Sequence, residues 1–303
     1  MRFVTFTKDG AERAGILLGD AAGPDDVVVD LAHPLMQPAL AGRAPRVMDL
    51  IHSGLADAAA RLHDHGTPEA ARLPLRSVRL LAPLPAPRRI FGIAHNYVDA
   101  LAERGAPHPA EPFLFMKEPW TVIGPGEPVV LPPGIGGCTY ESEIAAVIGR
   151  RADAVSAQDA LAHVCAYGVF NDVSASGLIR REGFGPGKNV ATFGPFGPYI
   201  ATSDEVSDPQ ALRIGLSIDG VVLQDSTTAR MLFTVADLVA HLSQRTALEP
   251  GDVIATGTPA GIAALREPPA WIRPGTTMTA WVEGLGALVN PVVAGDASSG
   301  NAR

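Results

Sequence analysis

The stretch Thr139-Tyr140-Glu141-Ser142-Glu143-Ile144-Ala145-Ala146-Val147-Ile148-Gly149 carries the reading of this chain. It opens with two carboxylates two residues apart and closes with an unbroken apolar run. Taken as one strand, its period of two sends Glu141 and Glu143 to the same face of a sheet. The run Ile144 to Ile148 has the composition of a strand buried on both sides. A short helix-like link, Ser156 to His163, follows, and then a second strand-like run, Val164 to Phe170, leads into Asn171-Asp172. A single return of the chain therefore brings Asp172 beside the two glutamates. Three carboxylates without a nearby Cys or His suit a hard cation such as Mg²⁺, Mn²⁺ or Ca²⁺, leaving two or three coordination positions for water or a chelating substrate. A solvated strand face would explain the bare Glu-x-Glu spacing equally well. The apolar run directly behind the pair favours the metal, because charges beside a buried strand are rarely left unpaired.

Composition narrows the remaining classes. A chain of 303 residues can build one large domain plus a small one. Its 32 Gly and 27 Pro point to turns and short strands rather than a helical bundle. A net charge of −8 supplies no basic face for nucleic acid, so no such partner is expected. No apolar stretch approaches the roughly 18 residues of a membrane span. The start, Met1 to Phe6, lacks the apolar core of a signal peptide, and a cytoplasmic protein without a membrane partner is expected. Cys138 and Cys165 are too few for a disulfide framework and too isolated for zinc. Cys138 stands three residues before Glu141, close enough to line the site, but lacks a paired base.

The chain divides at a Pro-rich segment. Residues 1–75 hold short strand-like pieces at Arg2 to Thr7, Ala14 to Leu18 and Val27 to Leu31, with one amphipathic helix expected from Arg46 to His65. His63 and His65 flank Asp64 at its end and read as a solvated last turn. Residues 76–87, ending in Ala82-Pro83-Leu84-Pro85-Ala86-Pro87, read as a semi-rigid extended linker. Residues 88–294 form the main unit. It has strands at Arg89 to Ala94, Phe113 to Met116 and Pro128 to Leu131, a short helix at Asn96 to Arg104, and a hairpin turning at Asp219-Gly220. Thr234 and Asp237 form a capping box for a helix from Val235 to Ser243. Further strands are expected at Val253 to Ala255, Thr276 to Val282 and Leu288 to Val292, and residues 295–303 read as a mobile polar tail. The Gly183 to Lys188 run lacks the spacing and the Ser or Thr of a phosphate loop. No Gly-x-Ser-x-Gly elbow or His-Glu-x-x-His helix is present, which removes serine-hydrolase and zincin readings.

The motifs in combination resemble the fumarylacetoacetate hydrolase superfamily. They are Asn96-Tyr97, Phe113-x-Phe115-x-Lys117, Tyr140-Glu141-x-Glu143, Asn171-Asp172-Val173-Ser174-Ala175, Lys188, Gly194-Pro195-Phe196-Gly197-Pro198, Gln224-x-Ser226-Thr227 and Gly251-Asp252 through Thr256-Gly257-Thr258-Pro259. They occur in order between Arg89 and Val292. The resemblance implies an α+β, mainly β fold, a mixed β-sandwich roll with a small N-terminal α/β domain, assembled as a homodimer. It implies a divalent ion, Mg²⁺ or Mn²⁺ with Ca²⁺ an alternative, held by Glu141, Glu143 and Asp172. It also implies a 2-oxo acid or 1,3-dicarbonyl substrate that reacts through an enolate whose developing charge the metal stabilises. Lys188 matches a catalytic lysine that reaches into the pocket. Thr258 matches a threonine that bonds substrate, although a turn-capping hydroxyl explains it as well. Tyr97 and Lys117 join the expected substrate-binding set.

Two departures bear on the reaction. Hydrolytic members of the superfamily carry a His three residues after the Asn-Tyr tyrosine and often a Glu three further on; here Ala100 and Glu103 stand there. Glu103 would act alone or with His95, both candidate catalytic groups. The superfamily commonly continues Asn-Asp-x-Ser-Ala with Arg-Asp-x-Gln, whereas this chain has Ser176, Gly177 and Ile179 at the Arg, Asp and Gln positions. The usual grip on a substrate carboxylate is therefore weakened unless Arg180 or Arg181 swings in to replace it. Hydrolysis of a C–C bond is expected on superfamily frequency. Lyase or isomerase chemistry, such as decarboxylation, dehydration or enol–keto isomerisation, is the alternative that the alanine favours. A metal-retaining homologue without turnover is a third reading.

Overall fold

The apolar run behind the two glutamates lies in the middle of a long mixed sheet. The computed structural model describes residues 1–19, 23, 25–40 and 46–296. Its strand Ser142–Ile148 pairs antiparallel with Val164–Asn171 on one side and with Asp252–Ala255 on the other. Outward from Val164–Asn171 come Gly194–Thr202, Arg2–Lys8, Ala11–Leu18, Val27–Asp30 and Arg72–Pro74. Outward from Asp252–Ala255 come Arg89–Ala94, paired parallel to it, and Phe113–Lys117 at the edge. The amino-terminal strands thus extend the same sheet through the pairing of Arg2–Lys8 with Gly194–Thr202. A second sheet of five strands runs Val221–Thr227, Arg213–Ile218, Thr277–Val282, Gly286–Ala294 and Val129–Leu131.

Alternation along the central strand explains why Ile144 to Ile148 is apolar throughout. Ile144, Ala146 and Ile148 face the five-stranded sheet and share a core with Ile214, Leu216, Met278 and Ala280. Ala145 and Val147 face the other way and share a core with Leu50, Ile51, Leu55 and Leu62 of two helices. A strand covered on both sides has no polar position to offer. With strands more numerous than α-helices, and two sheets packed face to face with helices outside, the α+β, mainly β architecture is as expected.

Three local details differ from the sequence reading. The helix expected from Arg46 to His65 is two helices, Val47–His52 and Leu55–His65. Gly54, at φ 95°, occupies a conformation closed to most side chains and turns the chain between them. The strand expected from Thr139 to Gly149 is interrupted at Tyr140-Glu141. Cys138–Thr139 pairs with Ser174–Ala175, while Ser142 onward pairs with Val164–Asn171. The Pro-rich segment is packed rather than free: Ala82 and Leu84 are buried in the core shared with the two helices, and the Pro83 carbonyl accepts a hydrogen bond from Thr5. Elsewhere the hairpin turns at Asp219 and Gly220, both at positive φ as a two-residue type I′ turn requires. The capping box of Thr234 and Asp237 starts the helix Val235–Ser243. Of the expected tail, residues 297–303 lie outside the described residues. No helix among those described is long and apolar enough to cross a membrane.

Candidate functional site

The antiparallel ladder of the two central strands ends where Ser142 faces Asn171, and there the carboxylates gather. Just beyond the ladder, the Asp172 amide donates to the Glu141 carbonyl at 2.9 Å, and the Glu141 amide donates to Asn171 Oδ1 at 3.0 Å. These two bonds clamp the interrupted segment so that Glu141 reaches the same point as Glu143. One carboxylate oxygen from each of Glu141, Glu143 and Asp172 lies within 4.8 Å of the others. Glu143 and Asp172 are buried, and Glu141 is partly so. The Gly257 amide donates to Glu143 Oε2 at 2.8 Å. Gly257 has φ 95°, and a Cβ there would stand 2.9 Å from the Ile93 carbonyl, so this close approach requires glycine.

Two lysines close the far side. Lys188, at the end of the helix Phe184–Lys188, places Nζ 2.7 Å from Glu141 Oε2, 2.5 Å from Asp172 Oδ2 and 4.9 Å from the centre of the Phe115 ring. Lys117, at the end of its edge strand, lies 2.8 Å from Asp172 Oδ1 as an ion pair out of line for a hydrogen bond, and donates instead to the Lys188 carbonyl at 2.6 Å. Burial raises the Asp172 pKa, yet Lys117 and Lys188 outweigh it and hold the carboxyl below its ordinary range. Burial lowers the Lys188 pKa, but Asp172, Glu141 and Glu143 outweigh that effect and keep it an ammonium. Burial raises the Glu141 carboxyl in spite of Lys188, and Glu143 departs further. Burial, reinforced by the carboxylates of Asp172 and Glu141, raises it well above the usual range, and no lysine is bonded to it.

The Glu143 carboxyl is the test of whether a metal fits. Three converging carboxylates with two ammonium partners leave one anion uncompensated, and an all-oxygen donor set matches a hard divalent cation. The residues present fit such an ion, with Glu141, Glu143 and Asp172 as its holders.

Above this floor is a cavity of about 180 Å³. Glu141 and Lys188 reach it from below. Ala100 and Arg104 of the helix Val98–Arg104 form one wall, and Ser176, Ile179 and Arg180 of the helix Ser176–Glu182 form another. Thr258 also lines it. Its hydroxyl donates to the Ser142 carbonyl at 3.0 Å and accepts from Gln224 Nε2 at 2.8 Å, which leaves one acceptor position. His95 lines the cavity too, at φ 61° and edge-on to Phe113. Burial, then Arg104 and Lys188, lower its pKa, so its imidazole is neutral near pH 7.

The structure thus brings together Glu141, Glu143, Asp172, Lys188 and Lys117, and sets His95, Arg180 and Thr258 around one cavity. Three expected residues stand apart from that cavity. Lys117 is fully buried behind Asp172. Tyr97 is fully buried, and its hydroxyl has no hydrogen-bond partner among the described residues. Glu103 is exposed, and its Oε2 accepts from the amides of Gly261 at 2.8 Å and Ile262 at 3.2 Å. Arg181 is paired with Glu182 at 3.8 Å in solvent. Sequence reasoning missed Arg104 and the positioning role of Gln224. For Arg104 a signal existed: four residues separate it from Ala100 on an expected helix, which puts both on one face.

Comparisons with known proteins agree with this geometry. The family model described as fumarylacetoacetate (FAA) hydrolase C-terminal matches residues 89–293. The human protein named oxaloacetate tautomerase FAHD2B, mitochondrial, is 41% identical over 224 residues, covering 73% of this chain and 71% of its own. Among solved structures, the 5-carboxymethyl-2-hydroxymuconate delta-isomerase of Mycobacterium smegmatis has a TM-score of 0.75 at 31% identity, covering 97% of this chain and 100% of its own. The fumarylacetoacetate hydrolase of the psychrophile Exiguobacterium antarcticum has a TM-score of 0.80 at 31% identity, with the same coverage. With the ordered motifs, the carboxylate cluster and these similarities in agreement, the chain belongs to the fumarylacetoacetate hydrolase family of enzymes.

Proposed function

We propose that this enzyme interconverts the enol and keto forms of a 2-oxo acid rather than hydrolysing a C–C bond. The observation that carries the reading is the wall formed by the helix Val98–Arg104. Alanine faces the cavity at position 100, and Glu103 is held outside it by two backbone N–H groups. Hydrolysis on the superfamily pattern takes a proton from water at these two positions, and neither residue serves, which leaves the neutral His95 as the base at the cavity. Isomerisation needs only a stabilised enolate and one group that moves a proton at carbon. The relatives named as a tautomerase and an isomerase point the same way.

A divalent cation, proposed as Mg²⁺ or Mn²⁺, would supply a Lewis acid that draws charge from the carboxylate and 2-oxo oxygens of the substrate. The protein's own groups do the rest. The Lys188 ammonium stabilises negative charge on the enolate oxygen, and stays protonated because three carboxylates surround it. Gln224, fixed by the Ser142 amide and the Pro259 carbonyl, holds Thr258 in place at the cavity wall. The neutral His95 imidazole takes the proton from the carbon next to the 2-oxo group; a solvent proton completes the enol hydroxyl while the imidazolium gives its own up to solvent, and ketonisation runs the same transfers backward. Ile93, Leu101, Ile179 and Phe184 keep bulk water from the carbanion.

The test uses oxaloacetate added as its enol to the Mg²⁺-loaded enzyme, with loss of enol absorbance as the readout. Acceleration over Mg²⁺ alone, abolished by Glu143→Gln, is expected. A 1,3-dicarbonyl acid in ¹⁸O water serves as the control. Label appearing in a new carboxylate, with no acceleration of ketonisation, would restore hydrolysis.

A further inference from the structure

The two helices that wall the cavity are built alike. On Val98–Arg104, Ala100 and Arg104 are four residues apart; on Ser176–Glu182, Ser176 and Arg180 have the same spacing. All four line the cavity. Residues at i and i+4 stack on one helix face, so each helix contributes a small side chain and, one turn on, an arginine. Neither arginine lies within ion-pair distance of an acidic side chain or has a hydrogen-bond partner among the described residues. Other exposed arginines differ in this respect. Arg181 is paired with Glu182, and Arg245 with Glu111 at 2.6 Å.

On the floor, three carboxylates face two ammonium groups, so a divalent cation leaves the site with one net positive charge. Arg104 and Arg180 raise that to three. A 2-oxo monocarboxylate neutralises one of these charges, and a dicarboxylate two. The two small side chains leave the room between floor and arginines in which a short carbon chain would lie.

We propose that Arg104 and Arg180 are the specificity-determining pair of this enzyme, gripping a second carboxylate at the end of the substrate away from the metal ligands. The substrate is then a short 2-oxo dicarboxylate. Guanidinium groups suit the task because each offers a planar fork of donors that matches a carboxylate. The proposal rests on the 2-oxo acid reading above, and can fail independently of it.

Titration calorimetry on the Mg²⁺-loaded protein tests it without turnover, using pyruvate, oxaloacetate and 2-oxoglutarate as probes. Wild-type protein should bind at least one dicarboxylate about tenfold or more tightly than pyruvate. Arg104→Ala and Arg180→Ala should each weaken that dicarboxylate by about 10- to 50-fold, the range for a charged contact that is partly solvated. Pyruvate should weaken by less than about threefold, and Arg104→Lys should recover part of the loss. Both side chains are exposed and bonded to nothing else among the described residues, so the variants should fold, which circular dichroism checks. Equal binding of all three probes by wild type, or a dicarboxylate preference that survives both alanine variants, overturns the proposal. A preference erased by the variants in a protein that does not accelerate ketonisation upholds the arginine pair and rejects the isomerase reading.

Discussion

Breaking the ion pair of Lys117 and Asp172 separates two accounts of the site's stability. Lys117 is 0% exposed and Asp172 1%, with 2.8 Å between charged atoms, so removing either partner strands a buried charge. Such losses cost about 3–5 kcal/mol. Lys117→Met keeps the volume and leaves Asp172 with Lys188 at 2.5 Å, so the low end, about 3 kcal/mol, applies. Asp172→Asn leaves Lys117 facing only carbonyl oxygens and Lys188 with Glu141 alone, and the high end, about 5 kcal/mol, applies. The double variant deletes one cation and one anion together. It should therefore cost less than the sum of the single variants by about 2–3 kcal/mol. For a chain of this length, unfolding entropy is about 0.6 kcal/mol per degree, so the single losses correspond to about 5 and 8 °C in Tm. The assay is denaturant unfolding of all four proteins in excess chelator, which removes stabilisation by bound metal. Additivity within about 0.5 kcal/mol would refute the reasoning, because it would mean that the two charges are solvated separately.

Two further outcomes follow from the buried acids and hydroxyls. Glu143 has a folded-state pKa raised well above its unfolded value by burial and by Asp172 and Glu141. Its protonated form therefore stabilises the metal-free fold at low pH, and this contribution is lost as pH climbs through the folded value. A divalent ion needs the carboxylate ionised, so the rise in Tm on adding Mg²⁺ should be larger at about pH 8 than at about pH 5.5. Equal shifts in thermal melts at both values would contradict this. Tyr97→Phe removes a fully buried hydroxyl with no hydrogen-bond partner among the described residues, and should leave stability unchanged or raise it by up to about 1 kcal/mol. A loss of more than about 1 kcal/mol in urea unfolding would mean that the hydroxyl is bonded after all.

How far the chain can be read without its structure follows from how far apart the cooperating residues are. The strand Val164–Asn171, the Asp219-Gly220 hairpin and the Thr234–Asp237 cap rest on patterns within a few residues and lie where periodicity and turn chemistry put them, as does the apolar part of Ser142–Ile148, though not its interrupted start. The carboxylate triad was legible for the same reason, since one short return of the chain assembles it. The extension of the sheet through Arg2–Lys8 and Gly194–Thr202 was not, because no local pattern encodes a pairing across nearly two hundred residues. Lys117 shows the limit within the site. Its motif marked it as functional, but only the packing of its edge strand against the helix Phe184–Lys188 settles that its ammonium faces Asp172 from behind. Arg104 shows the reverse case. No motif marked it, yet helix geometry alone places it beside Ala100, so the loss of a basic side chain at one position and the arrival of a cation one turn later belong to the same wall. A departure from a family pattern is thus best read together with whatever its own helix turn or strand face carries.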